Sequence, residues 1–142
     1  MKASPRFLSL LHSVDIGWPN LMLTAPLFFL DAQGRQWRVP ATFICDLASV
    51  PWWARWLVPR AGRHNRAAVL HDWLFYLRSL RRETVSRWEA DNLMLQAMRA
   101  DGVRFTRRGL IRAALFLGSW WPWYFGRPCH LNPNLESPPP LP

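Results

Sequence analysis

Two periods of hydrophobicity divide the chain. Over residues 20–45 the pattern is that of strands. Leu21-Met22-Leu23-Thr24 and Pro26-Leu27-Phe28-Phe29-Leu30 are rich in strand formers, and Gln36-Trp37-Arg38-Val39 alternates polar with apolar. Between them Asp31-Ala32-Gln33-Gly34 is a turn, with Gly34 free to take a positive φ. A β-hairpin follows from this, and Pro40 forbids a central strand at its own position. Residues 43–51 are expected to leave the hairpin as a loop. Pro51-Trp52-Trp53 then opens a short helical or irregular piece ending near Pro59.

From residue 65 the period becomes helical. Asn65 is a candidate N-cap for a first helix running from Arg66 to about Leu80. Ser86-Arg87-Trp88-Glu89 has the capping-box spacing and opens a second helix, which Asp101-Gly102 stops near Ala100. Thr106 is the expected cap of a third helix ending before Pro122. The fold class is therefore α+β: an N-terminal β-hairpin or small antiparallel sheet packed on a three-helix body. One domain covers residues 1–131, and a Pro-rich extended tail covers 132–142.

Helix faces supply the candidate chemistry. Ala67, Leu70, His71, Leu74 and Phe75 share one stripe of the first helix, and Trp88, Asp91, Met94, Leu95 and Met98 share one stripe of the second. A carboxylate on a core-facing stripe is costly unless it is hydrogen-bonded or paired. A connection of about five residues makes the two helices antiparallel neighbours. His71 and Asp91 lie at comparable distances on either side of it, so a hydrogen bond between them is expected, direct or through one water.

Such a pair has two readings. It is a buried clip between helices, or Asp91 orients His71 as a general base or metal ligand. Asp72 points about 100° away from His71 around the helix and can face a loop. Asp46 and Ser49, embedded in an apolar loop, either satisfy backbone amides or face His71 and Asp72. If the protein is an enzyme, its catalytic residues are drawn from His71, Asp91, Asp72, Asp46 and Ser49. A Ser49–His71–Asp91 triad is geometrically open but lacks a nucleophile-elbow context. A divalent metal ion, if one is used, falls to Asp46, His71, Asp72 and Asp91. No other cofactor is indicated. His64 and His130 are expected at the surface.

Composition narrows the class. Half of the 142 residues are apolar and 19% are charged, a globular balance. Two cysteines are too few for a disulfide scaffold or a Cys-rich zinc domain. The net charge of +9 favours anionic partners, and of the 18 basic residues only Lys2 is lysine. No nucleic-acid motif accompanies the charge, so nucleic acid is not an expected partner. The apolar run near Met1 is shorter than the roughly 7–15 residues of a signal-peptide core, and no stretch reaches the roughly 20 needed to span a bilayer. Ten tryptophans are more than so small a core can hide. Trp120, Trp121 and Trp123, with Trp52 and Trp53, are candidate partner contacts, because Trp and Arg are enriched in hot spots. A membrane-surface anchor is the other outlet for such a cluster.

The segments Phe43-x-x-Asp46-Leu47-Ala48-Ser49-Val50-Pro51, Ala67-Ala68-Val69-Leu70-His71-Asp72-Trp73-Leu74-Phe75-Tyr76 and Ser86-Arg87-x-x-Ala90-Asp91 occur in that order. With a Gly-containing C-terminal helix after them, they resemble a family of small phage and prophage proteins. That family is catalogued as domain of unknown function one-three-five-three. The resemblance covers about residues 20–125. Cys45 stands where the family pattern usually has Thr, and Phe75 where it usually has Tyr, with Tyr76 next to it. The resemblance implies a phage or prophage setting and no particular activity. The order His71-Asp72, with Asp91 on a partner helix, is also similar to a phospholipase A2-like arrangement, without its Gly-rich calcium loop or its disulfides. Two functions are expected from the whole. The first is a virion-associated tail or tail-tip component, made in the host cytoplasm and bound to other phage structural proteins. The second is a small phage hydrolase acting on cell-envelope polymer or at the membrane surface during entry or lysis.

Overall fold

The computed structural model describes residues 3–17, 20–46, 63–80, 85–118 and 130–131. Among the described residues, seven short strands and three helices appear in the order β1 (Arg6–Phe7), β2 (Ser13–Asp15), β3 (Asn20–Leu23), β4 (Leu27–Leu30), β5 (Gln36–Val39), β6 (Phe43–Asp46), α1 (Asn65–Ser79), α2 (Arg87–Ala100), α3 (Phe105–Gly118) and β7 (His130–Leu131). The class is α+β. All pairings are antiparallel, in a three-stranded sheet β1-β4-β5 and a four-stranded sheet β2-β3-β6-β7.

The β4–β5 hairpin forms as expected, with Leu27 opposite Val39 and Leu30 opposite Gln36. Its alternation is clean: Leu27, Phe29, Trp37 and Val39 are buried, while Gln36 and Arg38 are exposed. The turn closes with the Gly34 amide donating to the Asp31 carbonyl, and Gly34 has φ +82°. Pro40 falls just after β5, where its missing N–H costs no ladder bond.

Several expectations are corrected. Residues 43–46 are a strand and not a loop: β6 pairs with β3, placing Ile44 opposite Met22. The run Phe43-Ile44-Cys45 has strand-forming side chains, but its partner lies some twenty residues earlier and leaves no local signal. There are two sheets, because β3 and β4, adjacent in sequence, pair with different partners. The N-cap of α1 is His64, without a side-chain cap bond, and His64 is buried and not at the surface. Thr106 lies inside the first turn of α3, whose first helical bond runs from the Arg108 amide to the Arg104 carbonyl. Trp88 is exposed, because the buried arc of α2 is formed by Ala90, Asp91, Leu93, Met94, Ala97 and Met98 and leaves Trp88 about 60° beyond Asp91. The cap at Ser86 is as expected, its hydroxyl accepting from the Glu89 amide at 3.3 Å.

Helix α1 packs on β5 and β6, and α2 packs on α1, β1 and α3. Buried Leu70, Leu74, Leu93 and Met98 meet Leu23, Phe29 and Phe43 in one core cluster. Helix α1 is buried nearly all round, so the stripe read from its sequence is only part of its covered surface. Cys45 is fully buried, as suits a small apolar residue.

Candidate functional site

Nε2 of His71 lies 2.9 Å from Oδ1 of Asp91, a distance at which an imidazole N–H donates to a carboxylate. The link is direct, with no intervening water needed. His71 comes from the middle of α1 and Asp91 from the first half of α2. A second cross-helix link joins Arg66 to Asp101, so as one helix advances the partner recedes, and α1 and α2 are antiparallel. His71 is 7% exposed and Asp91 8%. The imidazole also packs on the Phe75 ring one turn later, with centroids 4.4 Å apart. Phe75 therefore supplies an apolar wall to the histidine. Tyr76 stacks on Trp73 and lies beside Phe43, on another face of α1.

Asp72 is buried and engaged within the fold. Asp46 ends β6 with its backbone opposite Asn20, and its side chain lies outside the described residues. Ser49, Trp52, Trp53, Trp120, Trp121 and Trp123 also lie outside them. Of the expected site, the structure thus unites His71 and Asp91, buries Asp72 next to His71 in sequence, and does not describe the side chains of Asp46 and Ser49. Among the described residues no three His, Cys, Asp or Glu side chains converge as a metal-ligand group. Two clefts lined by described residues, one beside Glu89 and Arg112 and one beside Arg66 and Asp101, contain neither His71 nor Asp91.

A third buried carboxylate carries no mark in the sequence motifs. Asp31, at the start of the β4–β5 turn, is 0% exposed. One of its oxygens accepts from the backbone amides of Gln33 (2.9 Å) and Arg35 (2.8 Å). The other accepts from the Arg35 guanidinium (2.8 Å) and the Trp37 indole N–H (3.0 Å). Burial pushes this carboxyl up, but the Trp37 and Arg35 donors together outweigh it and hold the group below its ordinary value. Arg35 continues to Glu89 on α2 at 2.7 Å. Burial works against the Arg35 charge, and Glu89 and Asp31 more than compensate, so its pKa is raised. The Ala32 amide donates to Gln96 of α2, a second tie between turn and helix. A signal for Asp31 existed: Leu27 and Phe29 face inward, and the period of two puts residue 31 on the same side.

Arg66 is a third polar centre. It holds Asp101 with two nitrogens, donates to the Ser9 carbonyl at 3.1 Å and lies over the Phe7 ring. Burial raises the Asp101 carboxyl above its ordinary value, and Arg66 pulls it only part of the way back.

A family model described as protein of unknown function (DUF1353) matches residues 21–115, about two thirds of the chain. The chain belongs to this family. The DUF1353 span runs from β3 into α3 and includes the Asp31 turn and both members of the His71–Asp91 pair. Neither a curated protein nor a solved structure matches the chain. No helix among the described residues is long and apolar enough to cross a membrane.

Proposed function

We propose that the protein acts by binding, as an assembly component in the tail region of a phage or prophage particle, and that other phage structural proteins are its partners. The observation that carries the binding reading is the burial of the His71–Asp91 pair. A general base has to meet its substrate in a cleft. This imidazole has one nitrogen on Asp91 and its ring on Phe75, between two packed helices. Such a pair fixes how α1 and α2 sit against each other. The likeness of the His71-Asp72 and Asp46-to-Pro51 segments to those of small phage proteins supports the phage setting.

Replacing both partners with apolar residues separates the two functions. With His71→Leu and Asp91→Leu together, a clip becomes a hydrophobic contact of similar size, and such replacements are often neutral. The expected outcome is a folded protein that still enters particles, read by mass spectrometry of purified virions. A folded double variant that loses the biological function would favour the hydrolase, with His71 as base, Asp91 orienting it, and a metal carried by Asp46 and Asp72. Particles that lack the wild-type protein would reject the tail placement.

A further inference from the structure

Helix α3 wears its hydrophobic residues on the wrong side. Ile111 is buried against the body, yet Phe105 is 80% exposed, Leu117 64% and Phe116 60%, and Leu110 is also exposed. At about 100° per residue, Phe105, Gly109, Ala113, Phe116, Leu110 and Leu117 share one outward arc of roughly 140°. The only hydroxyl on that arc is Thr106, and no charge lies within it.

The borders of the arc are basic. Arg112 edges one side, with Arg108 behind it, and Arg107 lies beyond the other. Gly102 to Gly118 contains four arginines and no Asp or Glu. Arg112 also lines, with Arg99, Arg35 and the Glu89 carboxylate that Arg35 holds, an open cleft of about 490 Å³ along the α2–α3 side. Trp88 of α2, exposed beneath the Arg87 guanidinium, extends the apolar strip by touching Phe116, ring centroids 5.8 Å apart.

We infer that this face of α3 docks on the surface of an anionic lipid bilayer. A second copy of the same helix would bring three arginines against three, which opposes pairing. A convex apolar strip bordered by cations and edged by a tryptophan matches the interface of a membrane, where acyl chains take Phe and Leu while phosphates meet Arg. The helix lies along the surface and does not cross it, consistent with its 14 residues. Nothing in this inference depends on the tail reading, and the absence of the protein from particles would leave it standing.

The test is co-sedimentation of the full chain with vesicles of phosphatidylcholine alone or mixed with phosphatidylglycerol. Binding to the anionic vesicles only is expected, with a loss of at least ~10-fold in the F105S/F116S variant. Leu117→Ser, on the same outward arc and 64% exposed, gives an independent loss should the first variant lose its thermal transition. Two vesicle outcomes overturn the inference: no binding to anionic vesicles, or binding that salt abolishes but the apolar variants leave unchanged. A dimer in solution that the same variants dissociate, or an acidic protein partner that they release while vesicle binding persists, also overturns it.

Discussion

Asp31 and Asp91 are both carboxylates inside the protein, and they are held in opposite ways. Every donor to Asp31 lies within six residues of it, so the turn builds its own acceptor site before anything else need pack. Asp91 meets an imidazole twenty residues away, which arrives only when two helices dock. The first arrangement fixes the shape of a local bend, and its strongest partner is a guanidinium that is always charged. The second fixes the alignment of two rods, and its partner is an imidazole carried on the other rod. A buried carboxylate therefore has no single meaning, and the sequence distance to its donors tells which job it does.

The largest effect expected is at Asp31. Asp31→Ala strands the buried Trp37 indole and takes the carboxylate from two turn amides and the half-exposed Arg35 guanidinium, and a loss of about 3–5 kcal/mol in urea unfolding is expected. The same group sets an acid limb. Its folded pKa is lowered, so its contribution is full above the unfolded carboxylate value of about 3.9 and fades as pH falls through the lower folded value. Asp101, whose folded pKa is raised, acts with the opposite sign. Its ionised form costs stability above its folded pKa, and that cost is relieved as pH falls towards the unfolded value. Asp31→Asn is expected to flatten the acid limb of the stability curve, and an unchanged limb would show that the turn does not control it.

His71→Ala comes next, at about 2–4 kcal/mol, because it leaves the Asp91 carboxylate buried without its imidazole. A loss under about 0.5 kcal/mol, within the range of ordinary surface changes, would end the contrast between the two carboxylates. Ser86→Ala removes the hydroxyl that accepts from the Glu89 amide and is expected to cost about 1 kcal/mol by thermal melting. The smallest change has the opposite sign. Thr42, a β-branched residue at φ +71°, sits between β5 and β6. Thr42→Gly relieves that backbone and is expected to stabilise by up to about 1 kcal/mol, offset in part by the freedom glycine gains in the unfolded chain.

What was legible in the sequence was whatever depended on near neighbours. The β4–β5 hairpin followed from alternation and Gly34, α2 from Ser86 and Glu89, and the His71–Asp91 contact from two polar residues on apolar stripes flanking a short connection. The strand at 43–46 was hidden because its partner is β3, and β1 and β2 because two or three residues carry no period. Trp88 was misplaced because Ala90, Leu93 and Ala97 shift the buried arc of α2 away from it. Asp31 looked like an ordinary turn residue, although the inward side of β4 runs straight to it.

The pairing of β3 with β6 has a consequence for how the chain assembles. The whole β4–β5 hairpin lies between these two strands in sequence, yet it belongs to the other sheet. The ladder of the four-stranded sheet therefore closes a loop around a finished excursion. Zipping Leu21 against Cys45 before the hairpin has formed would meet the full entropy of a free segment, while a preformed hairpin shortens that gap to its two hinges. By loop-closure entropy, the topology favours closing the bend at Gly34 before the β3–β6 ladder.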